Sequence, residues 1–242
     1  MTRDGYFDAD IAETYDKDHK GNDPALIAKT VDCLVNLSDG GDILEFAIGT
    51  GRIALPLVER AARVKGIELS KAMVAKLREK ESDPPMEVVI GDMTKERVAG
   101  EFSLVFLVFN TIDNLTTQEA QIACFENAAR HLNSSGRFLV ETLLPPLQKI
   151  PFGETRLAFA NSRDHFGIDE IDIVTQNYSS NHVWMNGKDH KHLSIPFRYA
   201  WPAEMDLMAK IAGLELEFRW SDWDRAPFDR YSTKHISVWR KT

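Results

Sequence analysis

Asp42-Ile43-Leu44-Glu45-Phe46-Ala47-Ile48-Gly49-Thr50-Gly51-Arg52 is the stretch that decides the fold. After Asp42, its next four residues set Glu45 among Ile43, Leu44 and Phe46, the pattern of a short buried strand. Gly49 and Gly51 then permit positive φ and let a ligand approach the backbone closely. Ile53, Leu55, Leu57 and Val58 follow as a helix ending near Arg60. Strand, glycine turn and helix in that order form the first unit of a nucleotide-binding α/β sheet.

The same rhythm continues downstream. Arg63 to Glu68 reads as a second strand ending in an acid, and Ser70 caps the next helix, with Met73, Val74 and Leu77 inward. Pro84-Pro85 breaks the chain before a third strand, Met86 to Ile90, which runs into Gly91-Asp92-Met93. Phe102 to Phe109 is apolar at nearly every position, so it belongs at the centre of a parallel sheet covered on both faces. It ends at Asn110-Thr-Ile-Asp-Asn-Leu115. Thr116-Thr-Gln-Glu119 has capping-box spacing and opens a helix with Ile122, Phe125, Ala129 and Leu132 as its buried stripe. Gly136 to Glu141 is a fifth strand. Residues 42–142 therefore predict a right-handed, doubly wound parallel sheet.

Upstream, Ile11, Ala12 and Tyr15 share one side of a weak helical pattern. A clearer helix begins at Asp23-Pro24, a cap residue followed by proline in the first turn. Beyond Pro145-Pro146 the pattern changes to strands without helices. Asn186-Gly187 marks a hairpin turn between Val183-Trp184-Met185 and the run to Leu193. Residues 202–213 read as a helix with proline near its start and glycine at its end. Leu214 to Trp220 and His235 to Trp239 read as a closing antiparallel pair.

Composition excludes several classes. Of 242 residues, 43% are apolar and 27% charged, which suits a globular chain. No apolar run approaches 18 residues, and the first ten residues lack the apolar centre of a signal peptide. With 29 Lys+Arg against 37 Asp+Glu, the formal charge is −8. Phosphate backbones reward the opposite sign, so no nucleic-acid partner is expected. Cys33 and Cys124 lie in helical patterns and read as buried thiols of a cytoplasmic protein. His182, His190 and His192 lack the carboxylate or cysteine partners usual for zinc, so no metal is expected.

In an open parallel sheet, ligands sit at the carboxyl ends of the strands. Those ends carry Glu45 with its glycine turn, Glu68, Asp92, the 110–114 segment and Glu141. An acid after the second strand can accept both hydroxyls of a ribose, and one after the third can accept from an adenine amino group. The spacing Gly49-x-Gly51-x-x-Ala54 also fits the dinucleotide fingerprint, leaving an NAD(P)-dependent oxidoreductase as an alternative. Against it stand the helix ahead of the turn, the extra pair Gly91-Asp92, and the antiparallel strands where a second mononucleotide half would be.

Glu45-Phe-Ala-Ile-Gly-Thr-Gly51, Glu68-Leu-Ser-Lys-Ala-Met73, Gly91-Asp92-Met93 and Phe109-Asn-Thr-Ile-Asp-Asn-Leu115, in this order, resemble the successive motifs of class I S-adenosylmethionine-dependent methyltransferases. The resemblance spans residues 8–145, and the inserted strands resemble small-molecule members such as sugar N,N-dimethyltransferases and glycine-type N-methyltransferases. It implies a Rossmann-like α/β fold with seven strands, mostly parallel with the last antiparallel, and an antiparallel β insert between the fifth strand and the last helix. The implied layout is one methyltransferase domain over 1–242. Residues 1–40 would form a helical cap, 41–145 the cofactor core, 150–201 a substrate wall or lid, and 202–242 the closing helix and strand pair.

The implied cofactor is S-adenosyl-L-methionine, leaving as S-adenosyl-L-homocysteine. The resemblance places Glu45, Ala47, Gly49 and Gly51 around its methionyl part, Glu68 on the ribose with Leu69 beside the adenine, and Asp92 on the adenine amino group with Met93 against the ring. Phe109 and Asn110 would border the sulfonium, and Tyr15 would close over the cofactor. Glycine is usual in the family where this chain has Ala47; alanine is tolerated there if its φ is negative.

Tyr15 and Asn114 are the catalytic candidates. Asn114 stands where sugar N-methyltransferases place a histidine, and an amide can orient but cannot act as a base. Asp113, Glu141, His165, Trp184, Arg198 and Tyr199 are candidates for the substrate pocket. The expected reaction is in-line methyl transfer to nitrogen or oxygen of a small molecule, by a cytoplasmic monomer or homodimer without membrane contact. A methyltransferase-like binding protein without turnover is the other alternative.

Overall fold

A computed structural model describes residues 7, 9–18, 23–60, 63–187 and 189–242. Eleven strands fall into two sheets. The larger contains β1 (Ile43–Phe46), β2 (Val64–Glu68), β3 (Val88–Ile90), β4 (Phe102–Leu107), β5 (Leu132–Leu143), β10 (Leu214–Trp220) and β11 (Lys234–Lys241), in the order β10-β11-β5-β4-β1-β2-β3. β1 to β5 pair in parallel, and β11 runs antiparallel to both β5 and β10. The expected seven-stranded, mostly parallel sheet is present. The smaller sheet, β6 (Arg156–Asn161), β7 (His165–Ile171), β8 (Asn177–Asn186) and β9 (Asp189–Arg198), is an antiparallel meander between β5 and the last helix.

Period-two alternation sorts the side chains of the larger sheet onto two faces. Leu44, Phe46, Val105 and Leu107 pack with Phe125, Met205, Met208 and Trp239, beneath α5 (Gln118–His131) and α6 (Pro202–Ile211). Ile43, Leu104, Phe106 and Val238 pack on the other face with Val31, Leu34 and Leu37 of α2 (Pro24–Ser38) and Leu57 of α3 (Ala54–Val58). Burying each such side chain stabilises the fold by roughly 1.5–3 kcal/mol. Cys33 and Cys124 are buried free thiols, and no helix among the described residues is long and apolar enough to cross a membrane.

Caps fix where the helices begin. Asp23 accepts from Ala25 N at 2.9 Å, with Pro24 in the first turn of α2. Ser70 Oγ accepts from Met73 N at the start of α4 (Lys71–Arg78). α5 is capped by Thr117, one residue beyond the expected Thr116, through Ala120 N at 3.1 Å. β4 stops at Leu107 rather than Phe109, because Phe109 and Asn110 both take left-handed φ, 63° and 61°.

Candidate active site

The turn after β1 is the centre of the site. Gly49 (φ 58°) and Gly51 (φ 81°) lie in the region that favours glycine, and a Cβ on Gly51 would stand 2.2 Å from Leu77 Cδ1. Ala47 also has positive φ, 53°, so the condition under which an alanine is tolerated there without cost is not met. An alanine in this conformation brings its Cβ against the following carbonyl, a strain of roughly 1–2 kcal/mol.

Two carboxylates flank the turn. Glu68, 6% exposed, accepts from Gly49 N through Oε2 and from Ser70 N through Oε1, both at 2.8 Å. Glu45, at the end of β1, is 4% exposed, and its Oε2 has no hydrogen-bond partner among the described residues. Burial pushes the Glu45 carboxyl well above the usual carboxylate range; Arg52 pulls it down and Glu68 adds to the rise. An orphaned carboxylate oxygen beside a left-handed turn calls for a cationic partner.

α1 (Ala9–Asp18) covers this turn. Asp16 accepts from Thr50 Oγ1 at 2.6 Å and from Lys80 Nζ at 2.7 Å, Glu13 pairs with Lys76 at 2.6 Å, and Ser70 Oγ donates to Phe7 O. These bonds hold Tyr15 over the turn, where its ring meets Phe7 edge-on at 6.0 Å. Burial raises the Tyr15 pKa; Arg52 opposes the rise, and Glu68, Asp16 and Glu45 add to it. Tyr15, Glu45, Gly49 and Glu68, far apart in sequence, thus share one electrostatic neighbourhood.

Asp92 follows β3. Burial would raise its pKa, but Thr94 N at 2.9 Å and Thr94 Oγ1 at 2.8 Å hold it below the usual value. Between Glu68 and Asp92 the site presents apolar surface: Leu69 is 51% and Ile90 43% exposed, with Met93 buried alongside.

At the end of β4, Asn110 Oδ1 accepts from Leu143 N at 2.8 Å, and Phe109 N donates to Glu141 Oε2 at 3.2 Å. Glu141 Oε1 also accepts from Trp223 Nε1 and Lys234 Nζ, each at 3.2 Å. Arg52 lies 4.0 Å over the Phe109 ring. With Asn110 these groups line a cavity of about 150 Å³. Sequence reasoning missed Arg52, Trp223 and Lys234. Arg52 directly follows the Gly-Thr-Gly turn and could have been found there. Trp223 and Lys234 carry no local signal.

Asp113 and Asn114 end the 3₁₀ turn Thr111–Asn114. Asp113 is 2% exposed and accepts from Thr142 Oγ1 and from the Tyr178 hydroxyl, each at 3.2 Å. Burial pushes its pKa up to about 7, against the pull of both hydroxyls and of Arg198. Tyr178, on β8, thereby ties the smaller sheet to the end of β4. Asn114 is half-buried.

The other candidates sit on or beside the smaller sheet. Arg198 is buried, donating to Gln121 Oε1 at 2.5 Å and Glu204 Oε1 at 2.7 Å, so it clamps β9 to α5 and α6. Tyr199 is buried, 6.0 Å from Trp201 and 6.5 Å from Tyr178 between ring centroids. His165 Nε2 and His182 Nδ1 share a hydrogen bond at 3.0 Å, with the Trp184 ring parallel to both. The structure brings Asp113 to the β4 end and groups His165 with Trp184 out on the sheet. No cluster of three or more metal-ligating side chains occurs among the described residues.

Comparison with known proteins agrees with this architecture. A family model described as a methyltransferase domain matches residues 43–136. The structure of the CcbJ methyltransferase from Streptomyces caelestis superposes with a TM-score of 0.86 at 32% identity, covering 99% of each chain. A dTDP-3-amino-3,6-dideoxy-alpha-D-glucopyranose N,N-dimethyltransferase from Streptomyces fradiae is 32% identical over 139 residues, 56% of this chain and 54% of that protein. The S-adenosylmethionine-bound amino pentose methyltransferase CalS10 from Micromonospora echinaspora shares the fold, with a TM-score of 0.68 at 18% identity over 98% of each chain. The matches to curated relatives span about half of those proteins' length. The chain belongs to the class I S-adenosylmethionine-dependent methyltransferases, and S-adenosylmethionine is the family's cofactor.

The residues at the site fit that group. A buried carboxylate oxygen without a partner among the described residues suits its cationic part, the second buried acid its ribose and the exposed apolar strip its adenine, and the left-handed turn leaves the backbone open to close approach.

Proposed function

We propose that this protein catalyses methyl transfer to a small-molecule acceptor, and the observation that carries the reading is the partnerless Glu45 Oε2 beside the glycine turn. When bound, S-adenosylmethionine supplies a methyl group already activated on a positive sulfonium. Glu45 balances cationic charge, and Gly49 and Gly51 keep the backbone clear for close approach. Glu68 receives the ribose hydroxyls, Leu69 and Met93 contact the adenine, and Asp92 accepts from its amino group. Arg52, beside Phe109 and Asn110, is placed to receive the cofactor's carboxylate. Tyr15 excludes water by closing over the turn.

Positioning an acceptor lone pair in line can supply several kcal/mol, up to roughly 7–11 in favourable cases. Asn110 and Asn114 orient the acceptor. Asp113 is the group near the β4 end whose carboxyl can take a proton around neutral pH. The relative from Streptomyces fradiae, named for an amino sugar, makes an amine the first acceptor class to test. In this reading the chain works as one domain, with 1–40 capping the cofactor core (41–145), 150–201 walling the acceptor site and 202–242 completing the sheet. Cytoplasmic location, a monomeric or homodimeric state and the absence of a nucleic-acid partner belong to the same proposal.

Titration calorimetry with S-adenosylhomocysteine and, separately, NAD(P) tests the cofactor. Micromolar binding of the first and none of the second is expected; preferential nicotinamide binding would sink the reading. Cofactor binding without methyl transfer to any mass in a cell extract would leave a binding protein without turnover.

A further inference from the structure

A cavity of about 950 Å³ lies between the smaller sheet and the 144–155 connection that leads into it. That is the volume range of pockets for drug-sized ligands. Its wall is shared with the site described above. Tyr178 and Thr116, the latter just past the β4 turn, both line the cavity, and the Tyr178 hydroxyl reaches Asp113. Phe197 stacks on Tyr178 at 5.0 Å and 23°, giving an aromatic floor. Two large apolar side chains at the rim, Phe152 and Ile173, are left in water, which marks a surface that receives an apolar group.

The charge of the lining is one-sided. Glu154, Glu170 and Asp172 line the cavity, and among the described residues no Lys, Arg or His does. Glu170 pairs with Arg156 at the outer edge, at 3.1 Å. Asp172 accepts from Thr175 Oγ1 at 2.6 Å and from Val174 N at 2.9 Å, bonds that favour its charged form. Glu154 is exposed and makes no ion pair among the described residues. A pyrophosphate entering here would meet three carboxylates, with Arg156 at the edge already paired to Glu170, whereas an ammonium group would be attracted.

We propose that this cavity holds the body of the acceptor, and that the acceptor is an unphosphorylated amine carrying an apolar portion rather than a nucleotide-diphosphate sugar. The inference rests on the methyl-transfer reading and narrows its substrate class. It separates this chain from the relative whose name specifies a dTDP-linked amino sugar, because charge complementarity rejects the wrong partner as effectively as it attracts the right one.

The test uses the full chain saturated with S-adenosylhomocysteine. Two probes are titrated by calorimetry: hexyl 3-amino-3,6-dideoxy-α-D-glucopyranoside, an amine with an apolar aglycone, and the same amino sugar as its dTDP ester. The glycoside is expected to bind with a dissociation constant at or below the millimolar range, and the dTDP ester at least tenfold more weakly. Glu154→Lys is expected to weaken the glycoside at least threefold and to strengthen the dTDP ester, leaving S-adenosylhomocysteine affinity unchanged; Glu154→Gln should fall between. Equal or tighter binding of the dTDP ester by the wild-type chain overturns the proposal. So does an unchanged glycoside affinity in Glu154→Lys, or no saturable binding of the glycoside up to 10 mM. Loss of S-adenosylhomocysteine binding itself would instead defeat the methyl-transfer reading.

Discussion

Ala47 shows how one side chain can sit against its backbone. Its φ of 53° is strained for alanine, yet the turn holds it, through Gly51 N to Ile48 O at 3.0 Å and Ile48 N to Ile67 O at 3.1 Å. Ala47→Gly relieves the strain but adds freedom to the unfolded chain, so a net gain of about 0.5–1 kcal/mol is expected in urea unfolding. Glu68 carries more. Glu68→Ala removes the acceptor for two backbone N–H groups and, in the proposed reading, the ribose partner as well. S-adenosylhomocysteine affinity should fall at least tenfold by calorimetry. Tyr15→Phe should instead lower turnover or slow cofactor closure, measured with an identified acceptor; unchanged kinetics would remove Tyr15 from the site.

Asp113 adds a pH dependence with a definite sign. Its pKa rises from 3.8 unfolded to about 7 folded, so the folded chain holds the extra proton between those values. Its contribution is complete below pH 4 and is lost as pH rises through 7. At roughly 1.4 kcal/mol per unit, the change across that window is about 4 kcal/mol. Asp113→Asn keeps a neutral group there. In urea unfolding, the stability of this variant relative to the wild-type protein should therefore rise as pH goes from 4 to 7; parallel profiles would refute a raised Asp113 pKa. His131 and His235 work in the opposite direction, since burial lowers them to about 4 and about 3, so both chains should lose stability as pH falls below 6.5.

At the scale of elements, the smaller sheet depends on few anchors to the larger one. Arg198 is the strongest, with two hydrogen-bonded partners and 5% exposure. Arg198→Ala leaves Glu204 and Gln121 without their guanidinium, and breaking a buried pair costs about 3 kcal/mol. The expected result is a lower melting temperature with S-adenosylhomocysteine affinity retained, the reverse of Glu68→Ala. Within the sheet, Phe159 lies over Gly167, where a Cβ would meet its ring at 2.2 Å. Element boundaries were legible in the sequence wherever a cap or breaker marked them, as at Asp23-Pro24, Ser70 and Asn186-Gly187. They were less so at β5, expected from Gly136 but beginning at Leu132, because α5 passes into the strand with no glycine or proline between.

For the whole molecule, the acidic balance of −8 is unevenly used. Glu45, Glu68 and Asp113 are buried at the site, Glu154 and Asp172 line the large cavity, and Arg52 and Lys234 stand in the smaller one. The sequence by itself determined the alternation of strand and helix, the two glycines, and the acids ending β1, β2 and β3, because these follow from local periodicity and from φ values that few residues accept. Only the tertiary structure decided that Ala47 is left-handed, that Arg198 is a clamp, that Trp223 and Lys234 join Glu141, and that Tyr178 reaches Asp113. Most of those facts depend on contacts between residues far apart in sequence, up to 93 positions for Lys234 and Glu141, whose distance in space no local pattern encodes.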